Sequence, residues 1–289
     1  MNLCYYHSFD LDGHCSGAII KKKFPDCEMI GINYGEDIEW DNLKNYEDVY
    51  MVDFSLQPFW KMVKLNNKCN FIWIDHHKSA MEEDEEWKKS NIKGIRRIGL
   101  GACALVWEYL YPDRRLPYGI KLLAEYDVWN HENPDTLPFQ YGLRIENTLP
   151  GSYTWPLVFS YGNISFINET ISNGKAILSY INKENKTYAE VCHFVTEIQN
   201  FHCLVINKMI TSSQLFDSIW DPEKFDIMIA FGWMNNQWTI SFYTTKKEVD
   251  VSILAKDLGS RYGNESGGGH AAAAGCQVNS IDFLFENRS

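Results

Sequence analysis

The sequence predicts an α/β protein with a parallel-sheet first domain and a smaller α/β second domain. Three observations carry this expectation. Strand-like apolar runs alternate with helical stretches through the first half of the chain, the rhythm of βαβ units. One run, Asn70-Phe71-Ile72-Trp73-Ile74, shows no apolar/polar alternation, as expected of a strand covered on both faces. The last third changes to closely spaced strands around one helix.

In chain order, 3–7 reads as a strand, and 14–24 as a helix anchored by Ala18, Ile19 and Ile20. Residues 28–34 and 49–53 read as strands, and 56–65 as a helix with Pro58 in its first turn, where proline is tolerated. Residues 71–74 form the fourth strand, and 101–110 and 116–126 two more helices. The Pro-, Gly- and Asn-rich stretch 130–156 reads as irregular, and 164–194 as mainly helical. Strands follow at 203–206, 225–231 and 238–243, with Asn235-Asn236 as a hairpin turn. A helix over 251–258 has Asp250 as its cap. The run Ser266-Gly267-Gly268-Gly269-His270 leads into Ala271–Ala274, read as a short helical turn, and a strand at 276–278. The expected domains are 1–180 and 202–289, joined by a linker helix region at 181–201.

Composition narrows the function classes. Hydrophobic content of 45% supports a sizeable core, and no apolar stretch approaches the roughly 20 residues of a membrane span. The opening residues run straight into a strand with no leader pattern. Eight cysteines lack any CxxC pair and sit mostly in apolar segments. That suits a cytoplasmic location and argues against disulfides or a thiolate zinc site. A formal charge of −11, with only short basic clusters, disfavours binding of long duplex nucleic acid. No glycine fingerprint follows the first strand, and no GxSxG elbow is present.

Acids and imidazoles gather where strands end. His7-Ser8-Phe9-Asp10-Leu11-Asp12-Gly13 follows the first strand, Asp53 closes the third, Asp75-His76-His77 follows the fourth, and Asp127 closes a helix. An extended segment would aim Asp10 and Asp12 the same way. The carboxyl edge of a parallel sheet is where ligands bind. Carboxylates brought to one crevice repel unless cations intervene, and mixed carboxylate-imidazole ligation suits Mn²⁺, Mg²⁺, Fe²⁺ or Zn²⁺. In the tail, Gly267-Gly268-Gly269-His270 reads as a loop whose free N–H groups, at a helix start, form an anion nest. His14, His131, His193 and His202 lie in no motif.

Together these motifs resemble the DHH phosphoesterase superfamily, in the branch with a C-terminal DHHA1 domain, across nearly the whole chain. The resemblance implies a DHH domain, a DHHA1 domain and an active-site cleft between them. It implies two divalent cations, Mn²⁺ as first choice with Mg²⁺ as alternative. His7, Asp10 and Asp53 would hold one, and Asp12, Asp53, His76 and Asp127 the other, with Asp53 bridging. Asp75 would be a ligand or the partner that orients a histidine, and His77 and His270 would contact the substrate phosphate. Asp75, His77 and His270 are the expected catalytic residues; His77, Gly267, Gly268, Gly269, His270, Tyr243 and Arg144 are the expected substrate contacts. Tyr243 stands near where many nanoRNase-like members carry an Arg. It offers a ring or hydroxyl instead, with Arg96, Arg97, Arg144 or Lys78 as sources of charge. The implied substrate is a short single-stranded oligonucleotide or small nucleotide phosphate, with no membrane partner and a homodimer as one possible state. Exopolyphosphatase is the nearest alternative, and a catalytically silent nucleotide-binding regulator is the alternative of another class.

Overall fold

The computed structural model describes residues 1–77, 80–81, 90–162, 164–263 and 267–286. Lys78, Ser266 and the acidic stretch 82–86 lie outside the described residues. The chain divides into two compact units, Met1–Leu178 and Ser179–Ser289.

The first unit is built on four parallel strands, β1 (Leu3–His7), β2 (Glu28–Ile32), β3 (Val49–Val52) and β4 (Phe71–Ile74), in the order β2-β1-β3-β4. The chain leaves β1 for one side and returns to the other, so a topological switch lies between β1 and β3. In open parallel sheets a ligand crevice opens at that point, at the carboxyl ends of the strands. Tyr6 pairs with Val52 and Val52 with Ile74. The next residues, His7, Asp53 and Asp75, therefore leave the sheet in one row.

Both faces are covered. On one, Cys4, Tyr6, Val52 and Ile74 pack with α1 (Leu11–Lys23), α3 (Ala102–Leu110) and α4 (Tyr118–Asp127). On the other, Tyr5, Met51, Phe71 and Trp73 pack with Phe54, Phe59, and Met62 and Leu65 of α2 (Trp60–Lys68). Three local expectations change here. Helix α1 starts at Leu11, because the Asp10 carboxylate accepts from the Gly13 amide and caps it. Helix α2 starts at Trp60, leaving Pro58 ahead of it rather than in its first turn. The stretch expected as irregular holds two helices, α5 (Thr136–Leu143) and α6 (Thr154–Val158). Pro138 and Pro156 fall in their first turns, where a missing N–H costs nothing; a proline-rich composition there marks helix starts.

The long helix α7 (Ile164–Cys192) gives way to β5 (His193–Ile198). The end of the expected linker helix is therefore a strand, paired with β6 (Phe201–Asn207). Strands β7 (Ile227–Met234), β8 (Gln237–Tyr243), β9 (Gly267–His270) and β10 (Ala273–Val278) complete a mixed sheet in the order β5-β6-β7-β8-β10-β9. Asn235 and Asn236 sit at φ 52° and 62° between β7 and β8, the left-handed pair of a type I′ hairpin. Asp250 caps α8 (Val251–Tyr262) through the Ser252 amide. Val251, Leu254, Ala255 and Leu258 pack on Val205, Ile229, Ile240 and Phe242.

The Gly-rich run departs most from expectation. Gly267–His270 and the alanines form the hairpin β9–β10, not a loop opening a helix. A Cβ at Gly267 would lie 2.2 Å from the Ala255 carbonyl oxygen, so the small residues let an edge strand lie directly on α8. Tertiary packing overrides the helix propensity of an alanine run, and the expected helix-start nest is absent from this segment.

Candidate metal centre

The row of residues leaving β1, β3 and β4 meets the end of α4. His7 Nδ1 lies 3.1 Å from Asp10 Oδ2 and 3.7 Å from Asp53 Oδ2. On the other side of Asp53, its Oδ1 lies 3.3 Å from His76 Nε2 and 3.9 Å from His77 Nδ1. His76 Nε2 also approaches Asp127 Oδ2 at 3.0 Å and Asp12 Oδ2 at 3.8 Å. Three overlapping groups have metal-ligand spacing: His7, Asp10 and Asp53; Asp12, His76 and Asp127; and Asp53, His76 and His77.

Local backbone explains how these side chains converge. Gly13 lies where a Cβ would sit 2.0 Å from the His7 carbonyl oxygen, so only glycine lets α1 begin against the end of β1. Because Asp10 is the cap and Asp12 lies inside the helix, the two carboxylates diverge rather than share one direction. Asp12 accepts from the Ala102 and Cys103 amides at 2.6 and 2.9 Å, at the positive end of α3. Asp53 adopts φ 56°, a left-handed conformation rare outside glycine. Such a backbone at a buried acid between two imidazoles marks a functional constraint.

Polar satisfaction separates the candidate ligands from their supports. His7 Nδ1, both carboxylate oxygens of Asp53 and His76 Nε2 are buried without a hydrogen bond. These atoms have charged neighbours but no aligned hydrogen bond, a lack that costs a buried group about 1–3 kcal/mol and that a cation among them would relieve. Adjacent donors about 2.1 Å from one octahedral cation lie ~3.0 Å apart, close to the shorter separations here. Asp75 is different. Its Oδ1 accepts from the His76 and His77 amides at 2.7 and 3.2 Å and pairs with His77 Nδ1 at 2.8 Å, while Oδ2 accepts from Trp73 Nε1 at 3.2 Å. Asp75 stands outside all three groups, fixing the ring of His77.

The electrostatics carry the same message. Burial opposes protonation of His76, yet Asp127, Asp53 and Asp12 push it up to about 12. Burial likewise opposes protonation of His7, which Asp10 and Asp53 raise to about 10, and of His77, which Asp75 raises to about 9. Burial and the charges of neighbouring acids raise Asp12 and Asp53. The cluster thus draws positive charge, as protons on imidazoles or as divalent cations.

Other expected residues divide. Arg96 donates to the carbonyls of Trp73, Ile92 and Lys93, and so serves the sheet edge. Arg97 pairs with Glu108. The Arg144 guanidinium lies over Tyr141 and Tyr126 and donates to the Tyr126 hydroxyl, next in chain to Asp127. In the second unit, the Tyr243 hydroxyl donates to the Thr211 carbonyl, and Gly267, Gly268, Gly269 and His270 lie along the edge strand β9. Sequence reasoning passed over His14, whose ring nitrogens contact the Ser8 carbonyl and the Thr148 hydroxyl, pinning the loop after β1. It also passed over Phe9 and Tyr34, whose rings flank His7. No motif surrounds His14 or Tyr34, and only the fold brings them there.

No family model matches the chain. It is 25% identical over 254 residues, 83% of its length, to an uncharacterized protein of Acanthamoeba polyphaga mimivirus, and spans 55% of that relative's length. Among solved structures, a DHH domain described as coming from a member of a family of ribosomal proteins superposes with a TM-score of 0.62. The match has 13% sequence identity and covers 96% of this chain and 82% of that one. At that identity the likeness is one of fold: the chain is folded as a DHH-domain protein is, with its candidate metal ligands at the carboxyl edge of the first sheet.

Proposed function

We propose that this protein is a divalent-metal-dependent phosphoesterase that hydrolyses short oligonucleotides or small nucleotide phosphates. The observation that carries the reading is Asp53. Its two buried, unbonded oxygens face separate imidazoles, His7 and His76, the arrangement of a carboxylate shared by two cations. Bound Mn²⁺ or Mg²⁺ would lower the pKa of a water and offset charge on phosphoryl oxygens. His7, Asp10 and Asp53 would hold one cation, and Asp12, Asp53, His76 and Asp127 the other. Asp75 holds His77 through Nδ1, leaving Nε2 to position a phosphate oxygen and protonate a leaving oxygen. In the second unit Gly267–Gly269, His270 and Tyr243 are assigned to substrate handling, with Arg144 supplying charge near Asp127.

The test is a Mn²⁺-supplemented panel of pAp, di- to pentanucleotides of RNA and DNA, cyclic dinucleotides, pyrophosphate and polyphosphate. Crystals soaked in Mn²⁺ are examined in parallel by anomalous diffraction. The expected result is turnover of nucleotide substrates and two anomalous peaks about 3.5–4 Å apart flanking Asp53. A single peak rejects the shared-carboxylate centre, and turnover of polyphosphate alone rejects the nucleotide assignment.

A further inference from the structure

Phe9 and Tyr34 flank the metal centre, and nothing in metal ligation requires them. Phe9 is 84% exposed and Tyr34 is 54% exposed. The Phe9 ring stacks on His7 with centroids 6.3 Å apart and planes 28° from parallel. The Tyr34 ring lies 5.5 Å from His7 and 6.3 Å from His77, backed by the buried Phe54 at 4.9 Å. The Tyr34 ring is held from behind by Phe54, and the backbone that carries Phe9 is fixed on either side. The Ser8 amide donates to the Ile32 carbonyl and the Ser8 carbonyl contacts His14, while Asp10 is fixed as a helix cap. Large aromatic faces left in water, on fixed backbone and beside a cluster of carboxylates, contribute little to packing but suit a flat partner.

We infer that Phe9 and Tyr34 form a stacking platform for a nucleobase, so that the phosphate at the metal centre belongs to a nucleotide whose base rests on these rings. The inference rests on the phosphoesterase reading for the position of that phosphate. Aromatic side chains stack on any base, because every base has a π-face, so the platform selects for a base without choosing among sequences. Polyphosphate and pyrophosphate have no such face and gain nothing from it. The same rings therefore separate nucleotide substrates from inorganic ones that need identical cations.

The experiment uses the full chain with Mn²⁺, the 5′-phosphorylated RNA dinucleotide pApA, and an analogue in which tetrahydrofuran residues replace both nucleosides' bases. The native protein is expected to favour pApA by at least tenfold in kcat/KM. Phe9→Ala and Tyr34→Ala are expected to collapse that preference with metal content unchanged, and Tyr34→Phe to retain it. Equal rates on the two substrates in the native protein, or variants that slow both equally, overturn the platform and leave the phosphoesterase reading standing. Binding of a 2-aminopurine dinucleotide in Ca²⁺ is followed by fluorescence alongside. Quenching that depends on Phe9 and Tyr34, without turnover of any substrate in Mn²⁺, sustains the platform and overturns the hydrolase. Should Tyr34→Ala fail to fold, Phe9→Ala decides, since that side chain lies almost wholly in solvent.

Discussion

Asp53 combines a left-handed φ of 56° with a carboxylate buried between two imidazoles. An Asn there keeps the shape and removes the charge that two cations would share. Asp53→Asn is expected to lose both metals by elemental analysis. It is also expected to lose the stabilisation that Mn²⁺ at a hundredfold excess over Kd gives the native protein, about 2.7 kcal/mol per site, or roughly 5–10 °C in Tm per site for a domain of this size. A variant still protected by Mn²⁺ would show that the shared carboxylate is not a ligand. Asp75 makes a contrasting case, because its oxygens are already engaged by Trp73, His76 and His77. Asp75→Asn is expected to keep near-normal metal content while turnover falls about 10- to 100-fold, the usual loss when the partner of a functional histidine is altered. Metal loss from that variant would instead make Asp75 a ligand. The histidines set the direction of pH dependence. In the metal-free protein, carboxylates raise His7 to about 10 and His76 to about 12, whereas a ligand imidazole must be neutral. At pH 8 Mn²⁺ binding is therefore expected to release roughly two protons per protein, and affinity to rise with pH through the range 7–10. Calorimetry in buffers of different ionisation enthalpy measures this, and binding without proton release would remove these imidazoles from the ligand set.

At the scale of elements, the centre depends on how closely α1 starts against β1. A Cβ at Gly13 would lie 2.0 Å from the His7 carbonyl oxygen, so Gly13→Ala must move either the helix cap or the strand end that carries His7. Metal affinity is expected to fall at least tenfold, with far-UV circular dichroism unchanged; unaltered affinity would mean that this junction yields without moving the ligands. The parallel sheet and its row of acids and imidazoles were legible because three signals coincided: a two-sided apolar run, a charged triplet at its end, and acids after two other strands. What stayed hidden depended on tertiary context. Asp10 and Asp12 read as an extended pair, whereas the cap and the amides of α3 take them in different directions. Pro138 and Pro156 read as loop residues because composition does not distinguish a helix start from irregular chain. Gly267–Ala274 read as a loop and helix because local propensity does not register an edge strand lying on Ala255. Tyr34 carried no local signal, since it reaches His7 only through the side-by-side pairing of β1 and β2.

For the whole molecule, the proposed chemistry would be divided between the two units. The first unit supplies all three groups with metal-ligand spacing found among the described residues. The second supplies a mixed sheet ending in the edge strand Gly267–His270. A chain with a formal charge of −11 has little general attraction for polyanions, so the phosphorylated substrate proposed for it would have to be held by local sites. A short substrate also releases few counterions, and salt should weaken its binding much less than it weakens long-duplex binding. Assigning substrate handling to the second unit yields a separable expectation for His270→Ala. Metal content by elemental analysis is expected to remain near normal, because His270 belongs to none of the three ligand groups. At the same time kcat/KM for short 5′-phosphorylated RNA is expected to fall at least tenfold, the equivalent of about 1.4 kcal/mol of interaction with the reacting substrate. The loss should persist across bases, since it concerns phosphate, whereas the losses at Phe9 and Tyr34 should disappear with the base. Lost metal in His270→Ala would move that residue into the centre itself. Unchanged kinetics on every substrate that turns over would leave the Gly-rich strand as packing against α8, and the division of labour between the two units would have to be abandoned.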